Sequence, residues 1–388
     1  MEILIAGGGI GGLAASIGLA RSGHQVEVCE QAERLRTVGA GISLQPNAFQ
    51  ALETLGLAQE VMPRGVTASR ASLWRSDGRL IRDFDFDGYE AETGYRPYIF
   101  HRASLLETLF DEAKRHGVDV RFGQRVESIE QQDDAVSVTM DSGVKYEADL
   151  LVGADGINSR VRSHLFGDET KRFSGYVCWR GIVDDPQLVE SVDSMSEIWG
   201  RGQRFGYMRC SASQIYWFAT SSCSTPDVAD SDLRSTFAGW PKMVSNLLES
   251  TPTETIVFND ISDRPPIFPW AKGRITLLGD AAHPMTPNFG QGGSQAIEDA
   301  VVLSHLLQNA KAPVSALRQY EKHRNPRTKQ LVEASRRFGK IAQGGSTSTR
   351  FIRDQVLTRL LTHLPNAVSR KKLLRQFDFR GHLSSLND

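Results

Sequence analysis

Three glycine-rich segments contain the residues best suited to chemistry in this chain. The first is a G-x-G-x-x-G pattern at residues 7–12, with an apolar run before it at 2–6 and helical spacing after it at 13–22. In such a strand–turn–helix unit the first glycine allows the tight turn, the second admits a pyrophosphate and the third lets the helix pack on the strand. The helix N-terminus adds N–H donors and positive potential. The glycines predicted to bind a dinucleotide are Gly7, Gly9, Gly11 and Gly12.

An acidic residue follows this pattern at a suitable distance. Glu30 ends the next predicted strand, residues 25–30, close to the spacing of about 20 residues found in dinucleotide sites. A carboxylate there accepts hydrogen bonds from ribose hydroxyls and repels a 2′-phosphate. Gln31 stands beside it and is assigned to the same site. FAD and NAD both contain adenosine diphosphate, so this motif by itself does not choose between them.

Two later motifs each place an aspartate after a buried strand. Residues 150–156 have the sequence LLVGADG, and residues 275–284 have the sequence ITLLGDAAHP. In a parallel sheet, the ligand crevice lies outside the carboxyl ends of the strands. Asp155 and Asp280 are therefore predicted to bind a cofactor.

A glycine-rich loop follows the second aspartate motif. Residues 287–294 have the sequence PNFGQGGS and lead directly into a predicted helix at residues 295–307. This helix N-terminus would stabilise negative charge on an electron-rich ligand by up to about 2 kcal/mol if the site is partly buried. The loop residues assigned to the site are Gly290, Gln291, Gly292, Gly293 and Ser294.

Together, these motifs resemble the single-component FAD-dependent aromatic hydroxylases, the flavoprotein monooxygenases similar to p-hydroxybenzoate hydroxylase. The resemblance rests on the glycine pattern with Glu30, on the D-G motif with Ser159 and Arg162, and on G-D-A-A-H-P followed by G-Q-G-G; it covers about residues 1–340. It implies that Glu30 holds the adenosine ribose and that Asp280 binds the ribityl chain.

The same resemblance implies further FAD contacts. Arg102, within HRASL at residues 101–105, would reach the pyrophosphate, and Val126 would meet the adenine through its backbone. The loop at residues 290–294 would line the isoalloxazine. Ser43, within GISL, is assigned to the same site.

The resemblance implies a reaction in two halves. NAD(P)H reduces the FAD, and O2 then adds at flavin C(4a) to form a hydroperoxide. This hydroperoxide transfers one oxygen atom to an electron-rich aromatic or N-heterocyclic substrate and releases water. The sequence contains no second dinucleotide fingerprint, so NAD(P)H is expected to act as a co-substrate without a domain of its own. No metal site is predicted.

Candidate catalytic residues lie in the β-rich middle of the chain. Family members that hydroxylate urate have a similar G-x-G-x-R segment with a tyrosine one strand later, matching Arg204 and Tyr216. Arg204, at the strand turn, is expected to stand opposite Tyr216 and to assist ring activation. In those members the arginine favours the anionic substrate. Alkylquinolone hydroxylases have a similar arginine, so the substrate stays open. The plainer alternatives are a surface arginine at a turn and a tyrosine packed in the core. Residues 178–180 are expected to make sheet and domain contacts, and His283 to shape its loop.

The pattern of strands and helices predicts an α/β fold. A discontinuous Rossmann-type FAD-binding domain of the GR2 kind is expected to carry an inserted, mostly antiparallel β-sheet substrate domain and C-terminal helices. The predicted segments are 1–72, 98–175 and 270–343 for the FAD-binding domain, 73–97 and 176–269 for the substrate domain, and 344–388 for the helical tail.

Composition mainly excludes partners and compartments. The chain has 388 residues, 40% hydrophobic and 23% charged, with a net charge of −1. Such a balance argues against a nucleic-acid binder. The uncharged stretch at residues 3–20 contains six glycines, so neither a signal peptide nor a transmembrane segment is expected. The four cysteines form no C-x-x-C pair, which favours a reducing cytoplasm. They are Cys29, Cys178, Cys210 and Cys223.

Some alternatives remain open at this point. From residue 350 onward the chain has eight Lys and Arg against three Asp and Glu; this predicts a solvated helix face, or weak peripheral contact with a membrane. An alkene epoxidase of the same family, a non-enzymatic prenyl-protein escort, and a flavin reductase or halogenase are the other functions considered. The intact Asp280 argues against the escort, and the W-x-W-x-I-P motif of halogenases is absent. A monomer or homodimer is expected.

Overall fold

The computed structural model of this chain describes residues 1–35, 40–193, 195–226, 232–344, 353 and 378–384. The predicted final helix around residues 357–364 and most of the basic tail lie outside the described residues.

Strands and helices alternate through the first half of the chain, and strands dominate its middle. The strands in the described ranges are β1 (Glu2–Ala6), β2 (Gln25–Cys29), β3 (Gly41–Leu44), β4 (Gly65–Thr67), β5 (Arg70–Arg75), β6 (Leu80–Asp85), β7 (Tyr98–His101), β8 (Asp119–Arg121), β9 (Val126–Gln131), β10 (Val136–Met140), β11 (Lys145–Ala148), β12 (Leu150–Gly153), β13 (Arg172–Asp184), β14 (Met195–Trp199), β15 (Gln203–Arg209), β16 (Gln214–Ser222), β17 (Val257–Asp263) and β18 (Ile275–Leu277).

Long helices flank the strands near both ends of the described chain. The α-helices are α1 (Ile10–Arg21), α2 (Pro46–Thr54), α3 (Ala58–Val61), α4 (Asp87–Thr93), α5 (Arg102–Arg115), α6 (Arg160–Phe166), α7 (Pro186–Glu190), α8 (Leu233–Thr236), α9 (Lys242–Glu249), α10 (Gly292–Leu307), α11 (Pro313–Gln343) and α12 (Arg380–Ser384). Short 3-10 turns occur at Met62–Arg64, Thr253–Thr255, Gly279–Ala281 and Pro287–Phe289.

A five-stranded parallel sheet, in the order β18-β12-β1-β2-β8, organises the dinucleotide end of the molecule. Its central strands are apolar runs buried on both faces, as parallel strands covered on both sides require. The last residues of four strands lie in one row, because Ala6 pairs with Cys29 and Gly153, and Gly153 pairs with Leu277. The glycine turn, Glu30 and both aspartate motifs follow these strands. All four therefore leave the sheet at the same edge.

A seven-stranded sheet, in the order β17-β13-β16-β15-β14-β5-β6, forms the β-rich part. Its pairs are antiparallel apart from β14 with β5. Side chains alternate between its two faces. On the outer face, Trp217 stacks on Phe205 with ring centroids 5.5 Å apart and packs with Leu247 of α9. We call the opposite side the inner face; it carries Tyr176, Cys178, Arg180, Glu197, Arg204, Met208, Tyr216, Phe218 and Thr220.

Helix α11 contacts both large sheets. Near its start, the Tyr320 hydroxyl donates to the Leu277 carbonyl at 3.2 Å. At its end, Gln343 donates to the Gly202 carbonyl at 2.6 Å and accepts from Thr220 at 3.1 Å. One continuous helix of 31 residues thus sets the position of the inner face relative to the parallel sheet.

The last described residues return to the start of the fold. Phe379 is fully buried, and its backbone N–H donates to the Gln50 side chain of α2 at 2.8 Å. Arg380 forms an ion pair with Glu53 at 2.7 Å. Within the described part of the chain, every helix is too short or too polar to cross a membrane.

Candidate functional site

The glycines of the first motif divide into packed and open positions. Gly7 has φ +109°, and a Cβ on Gly12 would lie 1.9 Å from the Gly7 carbonyl oxygen, so both positions require glycine. A Cβ on Gly11 would lie 2.7 Å from Leu278. In contrast, a Cβ on Gly9 would meet nothing within 4 Å. The open space in front of α1 therefore lies at Gly9, where the sequence motif places a pyrophosphate.

Glu30 is fixed by backbone donors at the same edge. Its carboxylate accepts from the Gly8 N–H at 2.7 Å and from the Ala32 N–H at 2.9 Å. The Gln124 N–H donates to the Glu30 carbonyl at 2.9 Å, which brings the segment before the buried Val126 alongside. The structure thus brings Glu30 close to the segment assigned to adenine, and Gln31 is exposed next to it. Their roles in FAD binding stay predictions.

The D-G motif is built around helix α6. The Asp155 carboxylate accepts from the N–H groups of Arg160 at 2.7 Å and Val161 at 3.2 Å, and its second oxygen is buried without a partner among the described residues. Desolvation raises the pKa of Asp155. Arg162 is buried and donates to the carbonyls of Ala281 and Ala282 at 3.1 and 3.0 Å. This arginine therefore connects the two aspartate motifs. The motifs are more than 100 residues apart, so the contact could not be predicted from the sequence.

Asp280 is exposed at the carboxyl edge of the parallel sheet. Its side chain is exposed, yet desolvation by the surrounding protein raises the pKa of its carboxyl, against the opposing charges of His283 and Arg102. A Cβ on Gly292, at the start of α10, would lie 3.8 Å from the carboxylate. The Arg102 N–H donates to the Ala40 carbonyl at 2.8 Å, at the start of α5. Asp280, Arg102 and the N-terminus of α10 therefore border the same space.

Strand β3 runs along the glycine-rich loop. Gly290 has φ +60°, and a Cβ there would lie 2.6 Å from the Ser43 hydroxyl. A Cβ on Gly293 would lie 3.0 Å from the end of Ile42. The loop thus packs directly against β3, with no room for a side chain at Gly290 or Gly293.

The polar side chains of this loop point inward. Gln291 is 3% exposed and exchanges hydrogen bonds with Asn47 of α2, at 3.0 and 3.3 Å. Ser294 is fully buried and accepts from the Gln45 N–H at 3.4 Å. Both residues were assigned to the cofactor from the sequence; the structure places their side chains in the packing beneath the loop, which leaves backbone groups to meet a ligand.

A buried charge network supports the loop from below. Arg324 of α11 donates to Glu298 and Asp299 of α10, each at 2.6 Å. Asp299 also contacts the His283 ring at 2.6 Å and accepts from the Gly279 N–H at 3.0 Å. Burial alone would raise the pKa of both carboxyls, but the neighbouring cationic groups lower each to about 2. His283 therefore anchors its loop, as expected.

Arg204 is buried at the centre of the inner face. Only 4% of it is exposed, so it is not a surface arginine. Its guanidinium donates to the Glu197 carboxylate at 2.7 Å and to the Asn288 side chain at 2.7 Å. Asn288 lies within the glycine-rich loop and also donates to the Tyr176 hydroxyl at 3.2 Å. Arg204 and Tyr176 thus tie the seven-stranded sheet to the loop at residues 287–294.

Tyr216 lies elsewhere on the same face. Arg204 pairs with Thr220, and Tyr216 pairs with Met208, so the two predicted catalytic residues are four positions apart along the strands. This corresponds to about 14 Å and corrects the expectation that they stand opposite each other. Tyr216 is 8% exposed, and burial raises the pKa of its hydroxyl. Its ring lies 2.2 Å from where a Cβ on Gly41 of β3 would be.

Three residues near this site were not identified from sequence. Glu197 and Asn288 are the partners of Arg204, and Arg180 lies diagonally across the strands from Tyr216 on the same face. Residues 178–180 were expected to make packing contacts. Alternation sends Trp179 to the outer core but turns Arg180 to the inner face. The alternating strand pattern predicts that Trp179 and Arg180 lie on opposite faces of the sheet. It does not predict which of the two faces borders the FAD-binding unit.

Comparisons with known proteins agree with this geometry. A family model described as FAD binding domain matches residues 1–335. The chain is 38% identical over 377 residues to aurachin C monooxygenase/isomerase of Stigmatella aurantiaca, covering 96% of this chain and 98% of that protein. It is 34% identical over 352 residues to an FAD-dependent urate hydroxylase of Klebsiella pneumoniae subsp. pneumoniae, covering 89% and 91%.

A solved structure is similar over nearly the whole chain. Klebsiella pneumoniae HpxO, crystallised with FAD and uric acid, superposes with a TM-score of 0.89 and 30% identity, covering 97% of this chain and 96% of that one. The predicted resemblance and α/β fold class are thereby confirmed. The chain belongs to the FAD-binding domain family and is a flavin-dependent enzyme of its monooxygenase and hydroxylase branch.

Proposed function

We propose that this protein uses NAD(P)H and O2 to hydroxylate an electron-rich aromatic or N-heterocyclic ring. One oxygen atom of O2 enters the substrate and the other leaves as water, while NAD(P)H and a proton supply the two electrons and the hydrogen. The observation that carries the proposal is the contact of Arg204 and Tyr176 with Asn288. It places a polar, partly aromatic sheet face directly against the glycine-rich loop of the FAD-binding unit.

The residues at the parallel-sheet edge fit FAD. The open space at Gly9 suits a pyrophosphate, Glu30 suits a ribose, and Asp280 offers an exposed carboxylate without a hydrogen-bond partner among the described residues. We assign the backbone of residues 290–294 to the ring of the cofactor. Bound FAD supplies the redox chemistry, accepting a hydride and activating O2. The protein contributes binding, orientation and exclusion of water.

The inner face supplies the substrate side of the cleft. Phe218 lies between the two candidate catalytic residues, with its ring over Gly206. Met208 and Tyr216 pack with Ile99 of β7 in one apolar cluster. A flat ring would therefore find apolar walls, with Arg204 and Tyr216 as polar groups. The complex of a similar protein with uric acid, a nitrogen heterocycle, supports this class of substrate.

We place the reaction in the cytoplasm. All four cysteines are free thiols, and three of them are buried. Such thiols persist in a reducing compartment.

The direct test is oxygen incorporation. FAD-loaded protein is incubated with NADH or NADPH, labelled O2 and a panel containing urate, 3-hydroxybenzoate and alkyl-4-quinolones, with peroxide measured alongside. We expect at least one ring to stimulate NAD(P)H oxidation and to carry one labelled oxygen. Oxidation that yields only peroxide with every ring would instead support a reductase, and a protein that binds no FAD would support a non-enzymatic escort.

A further inference from the structure

The two arginines of the inner face differ in their charge balance. Arg204 forms an ion pair with Glu197, so that pair is neutral overall. Arg180 has neutral neighbours: it donates to the Asn259 amide oxygen at 3.1 Å, and it lies diagonally across the strands from Tyr216 on the same face. Among the described residues, no carboxylate lies within 4.0 Å of its guanidinium. The net positive charge of the inner face therefore comes from Arg180.

Arg180 also lies among the inner-face residues to which we assign the substrate. It is half-buried, pairs across the strands with Phe218, and lies beside Tyr216. The Tyr216 ring rests on Gly41, and the next residues of β3 approach the glycine-rich loop. Tyr216 thus connects the neighbourhood of Arg180 with β3, the strand that packs against the glycine-rich loop.

A half-buried guanidinium without a counter-charge favours an anion. Arginine stays protonated in proteins, and its fork of N–H donors matches planar anionic groups. Partial removal of water strengthens its attraction for a negative ligand, because the effective dielectric constant falls. Asn259 accepts from one of its donors and holds the side chain in place. Neither Asn259 nor the neighbouring Tyr216 hydroxyl carries a charge that would cancel that of the guanidinium.

We propose that Arg180, held by Asn259 and lying beside Tyr216, is the anion-recognition residue of this cleft, and that the substrate binds as an anion. This rests on the proposed function for the location of the ring. The negative charge could belong to the deprotonated ring itself or to a carboxylate attached to it. Arg204 keeps its place near the loop, as a donor within a neutral pair.

Equilibrium binding to the oxidised holoprotein tests the proposal without turnover. The perturbation of the flavin absorbance is titrated with urate as a ring anion, with 3-hydroxybenzoate as a carboxylate anion, and with 3-hydroxybenzamide as a neutral match. We expect the wild-type protein to bind at least one anion below about 1 mM and to bind the amide more weakly. Arg180→Gln should lower the affinity for that anion about tenfold or more, as expected for the loss of a hydrogen bond to a charged group. The affinity for the amide should stay within about twofold of wild type.

Two further variants keep the result interpretable. Arg180→Lys retains the charge and should recover part of the anion affinity. Arg201→Gln removes an exposed arginine from the turn before β15 and should leave both affinities unchanged. FAD content and unfolding temperature are measured for each variant, to confirm that the fold is retained.

The binding results of the variants either support or overturn the role of Arg180. Anion affinity lost in Arg180→Gln and partly restored in Arg180→Lys supports the proposal, and the anion that binds identifies the source of the charge. Three results would overturn it. In the first, Arg180→Gln weakens binding of the anion and of the amide equally. In the second the wild-type protein binds both with equal affinity, and in the third it binds no anion below about 1 mM. Because no oxygenation is measured, a failed hydroxylation assay would leave this result standing.

Discussion

The dinucleotide edge and the inner face are assembled by opposite means. At the edge, Gly7, Gly9, Gly12 and Glu30 follow short strands that are paired in one row. At the inner face, Arg180, Arg204 and Tyr216 come from three strands, and their partners come from distant segments. Consecutive residues thus specify the edge, while sheet register and helix packing specify the inner face. Substitutions at the edge should affect the fold or cofactor retention, and substitutions on the inner face should affect turnover.

The largest expected effect separates the packed glycine from the open one. Gly12→Ala should destabilise the apoprotein by about 3 kcal/mol, because the new methyl group meets backbone 1.9 Å away. The gain in helix propensity, about 1 kcal/mol, is too small to compensate. Gly9→Ala has open space and an extended backbone, φ −77° and ψ −176°, so it should keep apoprotein stability but weaken FAD retention. Urea unfolding of both variant apoproteins measures their free energies of unfolding. An equal loss of stability in the two variants would contradict the distinction between a packed Gly12 and an open Gly9.

The buried network beneath the loop should make stability depend on acid pH. The pKa of Glu298 falls from 4.5 to about 2 in the folded protein, so its contribution is present above pH 4.5 and disappears as pH falls from there toward 2. The shift corresponds to stability on the order of 3 kcal/mol. Glu298→Gln should flatten the decline in unfolding free energy between pH 5 and 3, measured on the apoprotein. A decline as steep as in the wild-type protein would argue against the network.

On the inner face, Arg204→Gln should reduce turnover more than cofactor binding. It removes the donor to Asn288 and leaves Glu197 without its charged partner, with only the Trp199 indole as a donor among the described residues. We expect kcat/KM for the best substrate to fall about 100-fold, as for the loss of one positioned donor, with poorer coupling of NAD(P)H oxidation to product. FAD content should stay within about twofold of wild type. Unchanged kcat/KM would refute the catalytic assignment, and partial recovery in Arg204→Lys would identify the charge as the feature that matters.

The smallest expected effect returns to the edge. Asp280→Ala removes an exposed carboxylate whose pKa is raised by desolvation. FAD affinity should fall about tenfold, the value of one lost hydrogen bond to a charged group. Gel filtration followed by the flavin-to-protein absorbance ratio measures this. Glu147→Ala, on an exposed strand away from the carboxyl edge, serves as the control. A fully yellow Asp280→Ala protein would count against the assignment.

Side-chain direction marks the limit of sequence-based prediction at the edge. The motif around Gly7 and Gly12 is legible because the turn, the strand and the helix are contiguous. Gln291 and Ser294 were assigned to the cofactor from the same kind of motif. The structure shows that their side chains hydrogen-bond to Asn47 of α2 and to the Gln45 N–H just before it. Contact with the cofactor, which stays a prediction, is then left to their backbone groups.

The inner face shows a different limit. Period-two alternation places Trp179 and Arg180 on opposite faces, but it does not identify which face borders the cleft. The opposition of Arg204 and Tyr216 was inferred from neighbouring strands, whereas the register places them four residues apart. A register offset of this kind depends on the whole length of β15 and β16, which a short motif does not contain.

By itself, the amino-acid sequence determined the α/β class, the FAD-binding family and the edge where the glycine turn, Glu30 and Asp280 meet. These follow from local rules: a tight turn needs glycine, and parallel strands end together. Only the tertiary structure decided that Arg204 is neutralised by Glu197 while Arg180 keeps an unbalanced charge. Charge balance depends on which side chains meet across strands and helices, and packing of the whole chain settles those distances.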